Sequence, residues 1–187
     1  MSGHGHVDGG NKQVALLVAV LAALLAFSET GGKSAQTKGL GDQIEASNLW
    51  SFYQAKTIRQ TTLRAAAESV EAQYKDAGNM PPAMAAQLTQ WKNVADRYES
   101  EPKPNNKGEG RRELSARAIA KQVDSDKSLS AYHLFEYGSA AFQLAIVLAG
   151  ASALTAVIWL TFLSYGLGVV GLIFTALGFF APNLIHL

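Results

Sequence analysis

The run Tyr137–Leu187, YGSAAFQLAIVLAGASALTAVIWLTFLSYGLGVVGLIFTALGFFAPNLIHL, holds 51 residues and not one Asp, Glu, Lys or Arg. A water-soluble domain spreads charge over its surface, and no other groups would keep so long a stretch solvated. The run therefore belongs in lipid. Upstream the composition inverts: of the 31 charged residues in the 187-residue chain, 29 lie between Glu29 and Glu136. The near-neutral average, a net charge of +1, hides this segregation. A single soluble core is excluded.

The charge-free run is too long for one membrane helix, which needs about 20 residues. Two fit, at about 139–162 and 166–181, with a turn near Leu163-Ser164-Tyr165 and Pro182 closing the second. A further apolar run, Val14 to Phe27, follows Lys12 and precedes Glu29. Its 14 residues rise only about 21 Å as a helix. It has the layout of a signal peptide, with Ala26-Phe27-Ser28 in the place of a cleavage site. The reading adopted is a retained anchor, extended to residues 12–28 by flanking polar residues and a snorkelling Lys12. Residues 1–11 and 182–187 are tails and 29–38 a linker. Positive charge near the span ends favours a cytoplasmic middle segment, but at about 110 residues that segment exceeds the range over which loop charge sets topology. The side it occupies stays open.

Residues 39–136 read as an extramembrane helical hairpin. From Gly39 to Ala77 the sequence is rich in helix formers and free of proline. Gly78-Asn79-Met80-Pro81-Pro82 stops that helix and restarts another, since glycine suits a helix C-terminus and proline a first turn. Helices are expected at about 39–77, 82–100 and 111–136, the last two parted by the Pro- and Gly-rich loop Glu101–Gly110. The fold class is thus an all-α integral membrane protein: three transmembrane helices, with a coiled-coil-like hairpin between the first and second. Leu49, Phe52, Lys56, Arg59, Leu63, Ala66 and Val70 alternate spacings of three and four, as do Ala116, Ile119, Val123, Asp126, Ser130, His133 and Tyr137. These are the expected seams.

The densest motif is Asn48-Leu-Trp-Ser-Phe-Tyr-Gln-Ala-Lys-Thr-Ile-Arg59. With Trp50, Tyr53, Gln54, Ala55, Lys56 and Arg59 it resembles the core of the DUF4337 family of uncharacterised bacterial membrane proteins. The stretch Tyr132–Tyr137, followed by Phe142-Gln143-Leu144-Ala145-Ile146, is similar to the start of that family's second span. The resemblance covers most of the chain and implies a three-span protein of the bacterial inner membrane, with a helical extramembrane segment. Read physically, Lys56 and Arg59 lie one turn apart; they are solvated along the hairpin surface, paired with a carboxylate of the returning helix such as Asp124 or Asp126, or in contact with a ligand. Trp50, Phe52 and Tyr53 read as packing residues, or as an interfacial belt if this helix lies on the headgroups.

The chemistry-bearing residue types are sparse. With no cysteine there is no disulfide, thiolate nucleophile or thiolate-held metal. The 16 basic and 15 acidic residues supply no basic field for nucleic acid. His4-Gly-His6 offers two imidazoles on a glycine-rich tail, short of a metal site. His133 beside Glu136 reads as a hydrogen-bonded residue or a proton shuttle. No nucleophile–base pair, phosphate loop or carboxylate dyad is visible, so neither an enzyme nor a cofactor is expected.

The spans carry small-residue faces instead: Ala141, Ala145, Ala149 and Ala153 recur every four residues, with Gly168, Gly171 and Gly178 on the last span. Such faces pack within one chain or against neighbouring chains. The expected function is a non-catalytic structural or accessory subunit that self-assembles or joins other membrane-protein subunits in the lipid bilayer. A homo-oligomeric channel or transporter component is the alternative, lined by hydroxyls and Gln143.

Overall fold

The computed structural model describes residues 9–75, 78–104 and 108–184. Among the described residues there are four helices and no strand: α1 (Gly9–Tyr74), α2 (Pro82–Glu99), α3 (Arg111–Thr155) and α4 (Ile158–Phe180). Three of them, α1, α3 and α4, are long and apolar enough to cross a membrane. The chain folds as two units, one built from residues up to Leu40 and from Ser125 onward, the other from Gly41 to Asp124.

α1 is unbroken through residues 29–38, where a linker is expected from sequence. The glycines there serve contact rather than a turn. A Cβ on Gly32 would lie 3.2 Å from the Phe135 Cβ, so the missing side chain is what lets α1 and α3 approach. Beside it Ser28, fully buried, donates its hydroxyl to the Phe135 carbonyl at 3.1 Å and accepts from Thr175 Oγ1 at 3.1 Å. Leu21, Phe142 and Ala145 form the apolar core of this unit, with Leu17, Leu24, Leu25, Ile146 and Leu167 packed on it.

α4 meets this core through a line of small residues, Ser164, Gly168, Gly171, Thr175 and Gly178, all buried and spaced by four and three. Phe179 closes one end, its ring 4.7 Å from that of Phe135 and 5.4 Å from that of Phe27. Of the alanine ladder on α3, Ala141, Ala145 and Ala149 are buried, while Ala153 is exposed.

The turn between α3 and α4 falls at Ala156-Val157, not at Leu163-Ser164-Tyr165. Neither glycine nor proline marks it, and Ala156 adopts a positive φ of 56°. Hydroxyls hold it closed: Ser152 Oγ donates to the Val157 carbonyl at 3.1 Å and lies 2.6 Å from Thr161 Oγ1. Ser164, whose polarity suggests a turn, is instead buried in α4, donating to the Ala145 carbonyl at 2.7 Å. The α3 and α4 helices accordingly run over 111–155 and 158–180 rather than ending and starting at the expected boundaries.

In the second unit the inward face of α1 is Asp42, Ala46, Leu49, Tyr53, Lys56, Gln60, Leu63, Ala67 and Val70, each buried or half-buried. This is a strict alternation of four and three. It shares Leu49, Lys56, Leu63 and Val70 with the seam expected from sequence but takes Tyr53, Gln60 and Ala67 in place of Phe52, Arg59 and Ala66. Phe52 is 63% exposed and Gln60 only 1%. On α3 the inward residues of this unit are Arg111, Leu114, Ala118 and Lys121, so the stripe containing Ala116, Ile119 and Val123 faces outward. Its continuation at Asp126, His133 and Tyr137 is exposed as well, with Ser130 half-buried.

Candidate functional site: a polar clasp in the helical hairpin

The second unit is closed by a clasp of polar side chains from three helices. Gln60 presents its buried amide from α1, Glu99 ends α2 and Arg111 begins α3. Burying an amide costs free energy unless every group finds a partner. Gln60 Nε2 donates to the Ala95 carbonyl and to Glu99 Oε2, both at 3.0 Å, and its Oε1 accepts from Arg111 Nη1. Arg111 Nη1 also donates to Glu99 Oε2 at 3.1 Å, and Nη2 to the Tyr53 hydroxyl at 2.9 Å. The guanidinium carbon sits 5.0 Å from the Tyr53 ring centre, a cation–π distance. Tyr53 in turn meets Trp50 edge to face, centroids 5.4 Å apart, over Leu49, Leu114 and Ala118.

A second layer ties the 100–110 loop to α3. Glu113, in the first turn of α3, accepts from the Ser100 hydroxyl at 2.6 Å and from the Glu101 backbone N–H at 3.3 Å. A carboxylate at a helix N-terminus is also favoured by the unpaired N–H groups there. Arg112 Nε adds a bond to Glu99 Oε1 at 3.2 Å. The Glu99 carboxyl titrates below its ordinary range, held down first by the Gln60 amide and further by Arg112 and Arg111, against the opposing effect of burial. Burial pushes Glu113 up, yet the Ser100 hydroxyl and backbone N–H groups outweigh it and its pKa too is lowered. Toward the far end of the unit, Lys121 reaches Asp42 and Glu45, each at 2.9 Å, and Asp42 first and Glu45 second raise its pKa.

The structure distributes the motif residues among different surroundings. Tyr53 and half-buried Trp50 belong to the clasp. Lys56 is half-buried, its Nζ 5.6 Å from the Tyr98 ring centre and 4.0 Å from Glu109. Gln54 and Arg59 are exposed, as are Asp124 and Asp126, and among the described residues neither aspartate makes an ion pair. Lys56, Arg59, Arg117 and Glu109 edge an open cleft of about 340 Å³. His4 and His6 lie outside the described residues. Among the described residues no three His, Asp or Glu side chains are grouped to hold a metal.

Gln60, Glu99 and Arg111 carry the clasp, and hydrophobic patterning passes over all three. The signal for Gln60 is positional: it stands seven residues from both Tyr53 and Ala67 in the repeat. Gln60, Glu99 and Arg111 pair with one another across three helices, while Arg111 Nε is buried without a hydrogen-bond partner. A family model described as "Domain of unknown function (DUF4337)" matches residues 10–181. No curated protein and no solved structure matches the chain.

Proposed function

The chain belongs to the DUF4337 family, whose description assigns no activity, and from the geometry we propose that it is a non-catalytic, multi-pass protein of the bacterial inner membrane that self-assembles as a scaffold or accessory subunit. The observation that carries this reading is the outward stripe on α3. Ile119 is 53% exposed and Val123 61%, with exposed Ala116 one turn before Ile119, and the three are spaced by three and four. This is the spacing by which a helix packs into a coiled coil, and here no described residue covers it. α3 thus carries two such stripes, one used inside the hairpin and one left for a neighbour. A second copy of the chain supplies an identical stripe and so a symmetric contact.

The test exploits the absence of cysteine from the sequence. Val123→Cys in the full-length protein, oxidised in mild detergent, is expected to give a covalent dimer, while Arg64→Cys on exposed α1 surface gives none. Native mass spectrometry of the unmodified protein is expected to show more than one copy. A lone monomer with no crosslink at either position overturns the reading.

A further inference from the structure

A groove of about 640 Å³ runs between α1 and α3 in the first unit, on the side that α4 leaves open. That size lies within the range of about 300–1,000 Å³ typical of small-ligand sites. Its larger polar residues are Glu29, Lys33 and Gln36 on α1 and Tyr132, Glu136 and Gln143 on α3, with Thr30 beside them. Ser28, Gly32 and Ser139 form a floor of small buried residues.

Three observations select the ligand. Glu29 is the first charge after the apolar run of α1 and Glu136 the last before the charge-free run of α3, and both border this one groove. Two sequence boundaries more than 100 residues apart therefore coincide in space, at the level where the apolar spans give way to polar helix. Second, the groove is graded along its length. Gln36 and Tyr132 stand at its polar end, while Ala26 and Ala140 lie toward the apolar spans, with Gln143, bonded to Glu29, the one polar residue beyond Ala140 on α3.

Third, its charges are arranged for a zwitterion. Glu29 and Lys33 have the spacing of a helical ion pair, yet the Glu29 carboxylate instead accepts from Gln143 Nε2 at 3.4 Å, and Lys33 makes no ion pair among the described residues. Glu136 is held by the Tyr132 hydroxyl at 2.6 Å and by His133 Nδ1 at 3.2 Å. Its oxygens, like those of Glu29, can still accept further donors.

We propose that this groove binds the headgroup of a phospholipid bearing a primary amine, with the phosphate on Lys33, the ammonium on Glu29 and Glu136, and the acyl chains toward Ala26 and Ala140. One cation beside two carboxylates disfavours a purely anionic headgroup. A quaternary ammonium offers no N–H to the carboxylates. The assignment rests on the bilayer reading of the spans but not on self-assembly.

The test is native mass spectrometry of the full chain released from micelles holding equal amounts of phosphatidylethanolamine, phosphatidylglycerol and phosphatidylcholine with matched acyl chains. Retention of the ethanolamine lipid about ten-fold above the other two is expected, the worth of one charge-assisted hydrogen bond. Equal retention of all three, or preference for the glycerol or choline lipid, overturns the proposal. The Glu29→Gln, Glu136→Gln double variant is expected to lose the preference, and Lys33→Gln to retain less of every phospholipid. Preference surviving in the double variant overturns the assignment of the amine. Displacement by soluble glycerophosphoethanolamine at equal concentration overturns the lipid as its source. Because adducts are counted per chain, the result is independent of whether the chain dimerises, and the wild-type comparison decides even if a variant fails to fold.

Discussion

The Ser28 hydroxyl donates to the backbone carbonyl of Phe135, 107 residues away, at 3.1 Å. With Thr175 donating to the same Ser28 oxygen, one small side chain joins α1, α3 and α4. A polar group buried among apolar helices keeps its place only if it stays paired. Ser28→Ala removes both bonds and leaves the Thr175 hydroxyl to find a new acceptor. The expected loss is about 0.5–2 kcal/mol, read as a lower midpoint of thermal unfolding in detergent. An unchanged midpoint would show that this junction adds nothing to the packing.

Gly171 lies against the buried Phe142 ring, and a Cβ there would come within 2.7 Å of it. Neither partner has room to give, because Phe142 is wholly enclosed. Gly171→Ala should destabilise by about 1–3 kcal/mol through overpacking. Trimming the ring with Phe142→Leu should be costly by itself yet recover part of the loss in the double variant, a coupling visible in a thermal double-mutant cycle.

Within the hairpin, the two arginines Arg59 and Arg111 should behave oppositely. Arg111→Met strips partners from Gln60, Glu99 and Tyr53 at once. A loss of about 1–3 kcal/mol is expected, since buried polar groups are left unmatched. Arg59→Ala, at an exposed position, should stay within about 0.5 kcal/mol of the parent. Hydrogen exchange of amides around Gln60 and Ala95 separates the two.

Acid should loosen the clasp. Glu99 and Glu113 both have folded pKa values below the ordinary 4.5. A carboxyl whose folded pKa is depressed stabilises the fold above its unfolded pKa, and that contribution drains away as pH falls through the folded value. The contribution of these two carboxyls is therefore fully present above about pH 5 and declines below 4.5. Tryptophan fluorescence, with Trp50 and Trp91 as hairpin reporters, should follow this decline during acid titration. The Glu99→Gln, Glu113→Gln variant should be less stable at neutral pH and flatter in acid.

The segregation of charge made the apolar helices legible from sequence, because solvation physics requires it whatever the tertiary packing. Proline and glycine around residues 78–82 and 101–110 marked the breaks flanking α2 for similarly local reasons. The α3–α4 turn was not legible: its signal is two hydroxyls, Ser152 and Thr161, that acquire meaning only once they face each other. Seam register failed for a different reason. Phe52 and Gln60 both sit at seam spacing, and apolar size favours Phe52; what places Gln60 inside is a set of partners on two other helices, which no one-helix pattern contains. On α3 two stripes share the same three-and-four spacing, so periodicity cannot choose between them. The motif around Trp50 and Tyr53 lies on the stretch of α1 that enters the clasp, while Glu99 and Arg111, its counterparts there, stand in unremarkable surroundings beside a loop.

The turn at Ala156-Val157 also bears on how the apolar helices come together. Two residues reach only about 7 Å when extended, close to the 8–10 Å between the axes of packed helices. Such a tether holds α4 beside α3 from the moment both exist, so the close contact of Gly171 with Phe142 forms at very high local concentration. α1 has no such leash: its bonds to this pair close a loop of more than 100 residues. Within the first unit the Gly171–Phe142 contact is thus the local one, and the Ser28–Phe135 bond, across 107 residues, the long-range one.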